Sequence, residues 1–327
     1  MLIMRIRLYN KNIIVVLVLL IISLNTAVVC FADDELNIVP NFNSYLTKTV
    51  VNEKTFNLGG QLSAIASDTY GNLYVAKDGK EIVKISFSGK VKPIYKLDSN
   101  YLSQETKICS LKLAKDGTIY VAATDCLFKI APDGQVKMLI NDPDVKPVGV
   151  ELDRNGNLYV ISKMKVFKYN PALEKSLFVD CGGVNGSLGL TDLKFDAKAK
   201  NLYIANGRAK QVYKYPVQKD GRAGKQQIIV DLNELAAQIN PFNSTALGKV
   251  NPSWLATDDF GVLYVSLENT SSILGIGTDG SYTLYKINPI FSNTAISNHI
   301  GNKGFYITSN DGKVHRINPI DEDDSDD

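Results

Sequence analysis

Asp192 is the residue best placed to do chemistry in this chain of 327 residues. A segment made of an apolar strand, a turn and a Leu-Tyr-Val-like strand recurs six times. Where Asp192 stands, the other copies carry Ala64, Ser110, Gly149, Trp254 and Ala295. A lone carboxylate among small and apolar equivalents is costly to bury unless water, a hydrogen bond or a cation compensates it. Carboxylate and amide side chains also collect in the loop after the second strand of five of the six copies: Asp78, Asp125, Asn206, Glu268-Asn269 and Asn310-Asp311. Carboxylate and amide oxygens suit Ca2+ or Mg2+ rather than zinc, which prefers His and Cys. The expected cation ligands are therefore Asp192 with Glu268, Asn206 and Asn310; the other reading of these loops is ordinary polar surface.

Histidine and cysteine chemistry is thinly provided. His299 aligns with Asp68 and Asp258 at a turn, and His315 falls in a third strand away from the axis, so both read as structural or exposed. Cys109 begins the inner strand of the second copy and Cys126 lies at the loop into its third strand. Two inter-strand steps separate those strands by about 9.6 Å, whereas a bridge needs Cα atoms within about 7 Å. Cys109–Cys126 is the favoured pairing only with an inward-bent loop, and Cys181 is expected to remain a thiol.

The elements that must position these residues follow from the repeat. Its aromatic marks, Tyr74, Tyr120, Tyr159, Tyr203, Tyr264 and Tyr306, are 46, 39, 44, 61 and 42 residues apart, the spacing of four-stranded propeller blades. Period-2 alternation divides the first copy into Leu62–Ser67, Asn72–Ala76, Glu81–Ser86 and Val91–Tyr95, strands a to d from the axis outward. Ile65, Leu111, Val150, Leu193, Leu255 and Ile296 share one inner-strand position and read as core between blades. Lys84, Lys129, Lys168, Lys214 and Arg316 share a strand-c position with Gly275, which reads as cations pairing or snorkelling between blades. The fold expected is all-β, a six-bladed propeller over 59–320. The sixth copy has no outer strand after Lys313–Ile317, so Thr47–Val51 within the N-terminal segment 33–58 is expected to complete it and close the ring. Residues 233–251 form an insertion with a helix-compatible start, of the kind that often carries function or caps a channel. Six of the seven residues from Asp321 to Asp327 are acidic, and this tail reads as solvated and disordered.

Arg5, Arg7 and Lys11 precede an apolar run from Ile13 to Ser23, too short to span a bilayer, and Cys30-Phe31-Ala32 offers a small-residue cleavage site. Residues 1–32 read as a signal peptide, with the mature chain starting at Asp33 in a periplasmic or extracellular setting. Acylation of Cys30 and an uncleaved anchor remain the alternatives. Without residues 1–32 the formal charge falls from +2 to −1, which leaves no electrostatic footprint for nucleic acid. The expected partner is a protein or a small-molecule ligand, and the chain is expected to be a monomer without stable membrane insertion. Asn185, Asn243 and Asn269 begin Asn-x-Ser/Thr triplets, as many as chance supplies in such a composition.

The motif Asp-x-x-Gly-Asn-Leu-Tyr-Val at Asp68–Val75 and Asp153–Val160, with Lys-Ile-Ala-Pro-Asp-Gly at Lys129–Gly134, resembles the NHL-repeat propellers and their relatives, the SMP-30/gluconolactonase and virginiamycin B lyase groups. The resemblance covers about residues 60–318 and implies the six-bladed fold. The lyase group implies histidine and acids around the channel, and the lactonase group one divalent cation near the axis. Neither pattern transfers residue by residue. The expectation is accordingly a ligand-binding or protein-interaction module acting through the loop-rich face, in preference to an enzyme. A divalent-cation-dependent hydrolase or lyase at the channel mouth is the alternative.

Overall fold

Asp68 shows why each repeat folds as it does. Its Oδ1 accepts from the Tyr70 and Asn72 amides at 2.9 Å, and its Oδ2 accepts from Asn72 Nδ2 at 2.7 Å and the Tyr74 hydroxyl at 3.3 Å. One carboxylate thus satisfies the a-to-b turn and ties it to the tyrosine of strand b, while Gly71 takes the positive φ of 84° that the turn requires. Asp153 repeats the brace with Asn155, Asn157 and Tyr159, and Asp258 holds Val262 N and the Tyr264 hydroxyl.

The computed structural model describes residues 45–97, 105–142, 144–182, 189–238, 249–268, 270–288, 293–298 and 304–317. They form six antiparallel blades around a central axis. The inner strands are Leu62–Ser67, Ile108–Leu113, Pro147–Leu152, Leu190–Phe195, Pro252–Thr257 and Asn293–Asn298. The first five are each followed outward by strands b, c and d and the sixth by strands b and c, and the first four blades are separate four-stranded sheets. Ile65, Leu111, Val150, Leu193, Leu255 and Ile296 are all buried and pack between blades. Among the described residues no helix is long and apolar enough to cross a membrane.

The strand-c cations stand directly opposite the strand-b tyrosines: Tyr74 pairs with Lys84, Tyr120 with Lys129, Tyr159 with Lys168, Tyr203 with Lys214 and Tyr306 with Arg316. Lys84 Nζ lies 5.2 Å from the Tyr74 ring centre and Lys168 Nζ 5.8 Å from that of Tyr159, a cation–π geometry. Blade five breaks the column with Gly275, opposite Tyr264. A Cβ there would meet Tyr285 Cε2 at 2.8 Å. The Tyr285 ring takes the space of the missing cation and lies 6.2 Å from Tyr264.

An N-terminal strand does complete blade six, but the residues that do so are Asn52–Asn57 rather than Thr47–Val51. The strand Tyr45–Asn57 is 13 residues long and serves two blades. Asn52–Asn57 runs antiparallel to Lys313–Ile317, whereas Tyr45–Val51 runs parallel to the outer strand of blade five, Tyr282–Asn288. Side chains fix that division. Phe56 packs with Val314 between blades six and one, and Val50 enters the core beside Ile287 and Ile317. Thr55 Oγ1 lies 3.3 Å from Nδ1 of the buried His315. Blades five and six thereby become one eight-stranded sheet.

The insertion opens with the helix Leu232–Gln238, started by Asp231 Oδ1, which accepts from the Asn233 and Glu234 amides. Leu232, Leu235 and Ala236 bury its inner face against blades four and five. Residues 239–248, the leader 1–32, the tail 321–327, His299 and the asparagines Asn185, Asn243 and Asn269 lie outside the described residues.

A chain starting at Leu58 lacks both halves of the closing strand and exposes the outer edges of blades five and six. It is expected to aggregate or to lose cooperative unfolding, whereas a chain starting at Tyr45 stays monomeric. Size-exclusion chromatography with thermal denaturation compares the two; equal behaviour would show that Tyr45–Asn57 does not close the ring.

Candidate active site in the axial channel

Six inner strands meet at the axis, and every one carries a register irregularity after its first residue. Polar side chains near these bulges reach the next blade. Ser63 Oγ donates to Ile108 O at 2.9 Å and Thr191 Oγ1 to Pro252 O at 3.3 Å. At the following level Ser110 Oγ accepts from Val150 N at 3.4 Å, and Asp192 Oδ2 accepts from Leu255 N at 2.8 Å. Asp192 is thus the acceptor that joins blade four to blade five. It is buried, and burial pushes its pKa up to about 7, against the pull of the Leu255 amide and Lys194 and with the help of Glu151.

Trp254, the bulkiest equivalent of Asp192, extends from blade five against core residues of blades one, two and six. Small equivalents, Ala64 and Ala295, accommodate it. Gly149 serves a separate contact: a Cβ there would meet Leu193 Cδ2 at 2.9 Å. The indole is partly buried against these clusters.

Two residues further along each inner strand, on the same face, stand Ala66, Lys112, Glu151, Lys194, Ala256 and Ser297. Here blades two, three and four form a charged arc. Glu151, whose side chain is 1% exposed, pairs through Oε1 with Lys112 and through Oε2 with Lys194 at 3.6 Å. Its Oε1 also accepts from Leu152 N at 2.9 Å. Burial acts to raise the Glu151 pKa, but the two ammonium groups outweigh it and hold the carboxyl below its ordinary value. The arc walls a cavity of about 300 Å³ that reaches all six inner strands, with Ser67, Thr257 and Ser297 on its uncharged side. Arg154, Asp196 and Asp259 line it at the a-to-b turns, so it opens on the face opposite the b-to-c loops. The sequence reading missed Lys112, Glu151 and Lys194. The comparison of equivalent positions that singled out Asp192 exposes them when moved two residues along the strand.

The four expected cation ligands each have partners or exposure of their own. Asn206 is buried, donates through Nδ2 to the Tyr213 hydroxyl at 3.1 Å and accepts from Ala209 N. Glu268 is exposed and accepts from Asn251 Nδ2 at 2.9 Å, and Asn310 is exposed in the turn after Phe305–Ser309. Asp192 and Asn206 lie on neighbouring strands of blade four. Among the described residues no three His, Cys, Asp or Glu side chains gather as a metal site. Cys109, Cys126 and Cys181 are free thiols, so the Cys109–Cys126 bridge is not formed in this structure. Burial pushes Cys109 up to about 11 and Cys126 up to about 12, with Asp125 adding to both. His315 sits in strand c of blade six, with Nε2 3.0 Å from Ser309 Oγ, and burial lowers its pKa.

No protein-family model and no curated protein sequence matches the chain. Among solved structures it is similar to a streptogramin B lyase, with 14% identity, a TM-score of 0.58 and coverage of 81% of this chain and 96% of the lyase. It is also similar to a luciferin-regenerating enzyme, with 15% identity, a TM-score of 0.62 and coverage of 81% and 95%. A gluconolactonase from Xanthomonas campestris matches with 12% identity, a TM-score of 0.62 and coverage of 80% and 87%. The fold is the six-bladed propeller of the gluconolactonase and virginiamycin B lyase structures; no NHL-repeat family in particular is indicated. These comparisons correct the preference for a non-enzyme: the same fold carries lyases and a gluconolactonase as well as a nutrient-binding protein, which makes an enzyme a more plausible reading than expected from the sequence.

Two variants test the arc and the acid beside it. Glu151→Ala leaves Lys112 and Lys194 adjacent without their carboxylate and is expected to cost about 3 kcal/mol in chemical denaturation; an unchanged midpoint would show that the arc contributes nothing. Asp192 has its folded pKa above its unfolded one, so the folded state retains a proton that the unfolded chain has released between about pH 4 and 7. Stability from this group therefore falls as pH rises through that window and then levels off. Asp192→Asn keeps an oxygen for Leu255 N and removes the titration, so from pH 4.5 to 7.5 its melting temperature should drop less than the wild type's by about a few degrees. Parallel melting curves would place Asp192 in a hydrated site with an ordinary pKa.

Proposed function

We propose that this propeller is a hydrolase acting on a small lactone or ester held on its axis. The observation that carries the reading is the axial cavity of about 300 Å³ with Lys112, Glu151 and Lys194 on one wall and Asp192 two residues deeper than Lys194 on the same face of its strand. The environments of the two carboxyl groups push their pKa values apart. Glu151 stays ionised, while Asp192, at about 7, exchanges a proton near neutrality. In the proposed reaction water adds to the acyl carbon and the ring C–O bond breaks. Asp192, which lies behind the cavity wall and not among its lining residues, as carboxylate takes the proton from the attacking water through one intervening water and returns it by the same route to the departing alkoxide. The Lys112 and Lys194 ammonium groups hold the polarised oxygen. Similarity to a gluconolactonase supports the reaction class. The lyase alternative is less favoured: a virginiamycin B lyase is inactive as a histidine-to-alanine variant, whereas His315, the histidine among the described residues, is held by Ser309 and Thr55 in blade six. The leader-like order of residues 1–32 supports placing the activity outside the cytoplasm.

The test is acid release from a panel of small lactones and esters, with Ca2+, with Mg2+ and with a chelator. The wild type is expected to turn over at least one of them. Asp192→Asn, shown to be folded by circular dichroism, should lose about 100-fold or more in kcat. Absence of turnover across the panel in all three conditions, or full activity in Asp192→Asn, would overturn the reading.

A further inference from the structure

Blade four carries an uncommitted version of the tyrosine–lysine unit. Asp196 reaches its asparagine, Asn201, across five positions, where Asp68 and Asp153 reach Asn72 and Asn157 across four. The added residue puts the brace out of step with strand b. Asp68, Asp153 and Asp258 each accept from the tyrosine six positions on, whereas Asp196 accepts from Lys200 N and Asn201 Nδ2. Among the described residues neither the Tyr203 hydroxyl nor the Lys214 ammonium has a hydrogen-bond, ion-pair or ring partner, although Lys84 and Lys168 at the same strand position lie over their tyrosine rings. Burial and the Asp196 carboxylate both raise the Tyr203 pKa, so the hydroxyl keeps its proton. Two donors thus remain to spare, and both residues line a cavity of about 390 Å³ between blades four and five.

The next interface shows which shape the space fits. There Tyr264 packs on Phe305 of blade six with ring centres 5.2 Å apart. Leu263 holds the position of Phe305 in blade five, just before the strand-b tyrosine, and this smaller side chain lines the cavity with Tyr203, Ile229 and Ile276. Lys198 and Lys214 balance Asp196 and Asp259 in the lining, so the cavity calls for no net charge in its ligand. We propose that it binds an uncharged aromatic molecule with an acceptor oxygen, such as an aryl ketone. The ring sits beside Tyr203 where Phe305 stands one interface on, and the oxygen accepts from the Tyr203 hydroxyl and the Lys214 ammonium. The cavity shares Asp196, Ala197 and Asp259 with the axial one but not Lys112, Glu151 or Lys194, so the inference stands apart from the proposed hydrolase.

Titration of acetophenone into the full chain, followed by NMR of labelled isoleucine methyl groups, tests this. Saturable shifts are expected at Ile229 and Ile276. Ethylbenzene, which lacks the oxygen, should bind about tenfold more weakly, and Tyr203→Phe and Lys214→Met should each weaken acetophenone about tenfold. Benzoate should gain nothing from its charge. Lys84→Met, at the same strand position in blade one, should leave binding unchanged. Leu263→Phe supplies the ring from the chain itself and should block acetophenone without lowering the melting temperature. No saturable shift, equal affinity for ethylbenzene, tighter binding of benzoate, or indifference to both Tyr203→Phe and Lys214→Met would each overturn the inference, as would unchanged binding in a folded Leu263→Phe. Lactone turnover without acetophenone binding sinks this site alone, and binding without turnover sinks the hydrolase alone.

Discussion

Ring closure is the constraint on which this molecule depends. Six twisted sheets stacked around an axis bury their faces against one another, but the last blade has only three strands from its own repeat. Its free edge is closed by Asn52–Asn57, while Tyr45–Val51 continues along the edge of blade five. The same 13-residue strand therefore protects two edges and joins two blades into one main-chain ladder, where the other four blades remain separate sheets.

Closure forces six inner strands into a narrow space, and this gives the axial residues their chemistry. Equivalent positions cannot all carry large side chains. One tryptophan stands where its equivalents include Ala64, Ala295 and Gly149, and the charged arc sits where Ala66 and Ala256 leave room on the other side. Burial then decides the ionisation. Asp192 has amide and lysine neighbours that only partly offset desolvation, so its pKa is high. Glu151 has two ammonium partners and remains charged. Two carboxyl groups on adjacent blades are thus held in different states by one channel.

The repeat also separates what is structural from what is particular to one blade. Asp68, Asp153 and Asp258 stand at a-to-b turns, and each is a turn brace tied to a tyrosine. The strand-c lysines belong to the same unit, placed opposite those tyrosines. Where Gly275 interrupts the column, Tyr285 restores the packing. Departures near the axis have no such replacement. Lys112, Glu151, Lys194 and Asp192 lie in three consecutive blades, and their asymmetry is the best indication of function in the chain.

The sequence alone determined the architecture. Spacing of the Leu-Tyr-Val-like segments placed six blades, the expected strand Leu62–Ser67 agrees with the structure to the residue, and the missing strand after Ile317 required one from the N-terminal segment. Those features are local, since period-2 alternation and turn residues act over a few neighbours. Which half of Tyr45–Asn57 completes blade six was decided by contacts of Phe56, Val50 and His315 with residues more than 200 positions away in the chain. The site was decided in the same way. Equivalent positions identify Asp192 as unusual, but only the closed ring brings Glu151 between Lys112 and Lys194, sets Trp254 against core residues of other blades and leaves the cavity open at the a-to-b turns. Burial and charge pairing depend on what surrounds a group in space, and that is fixed only when the sixth blade meets the first.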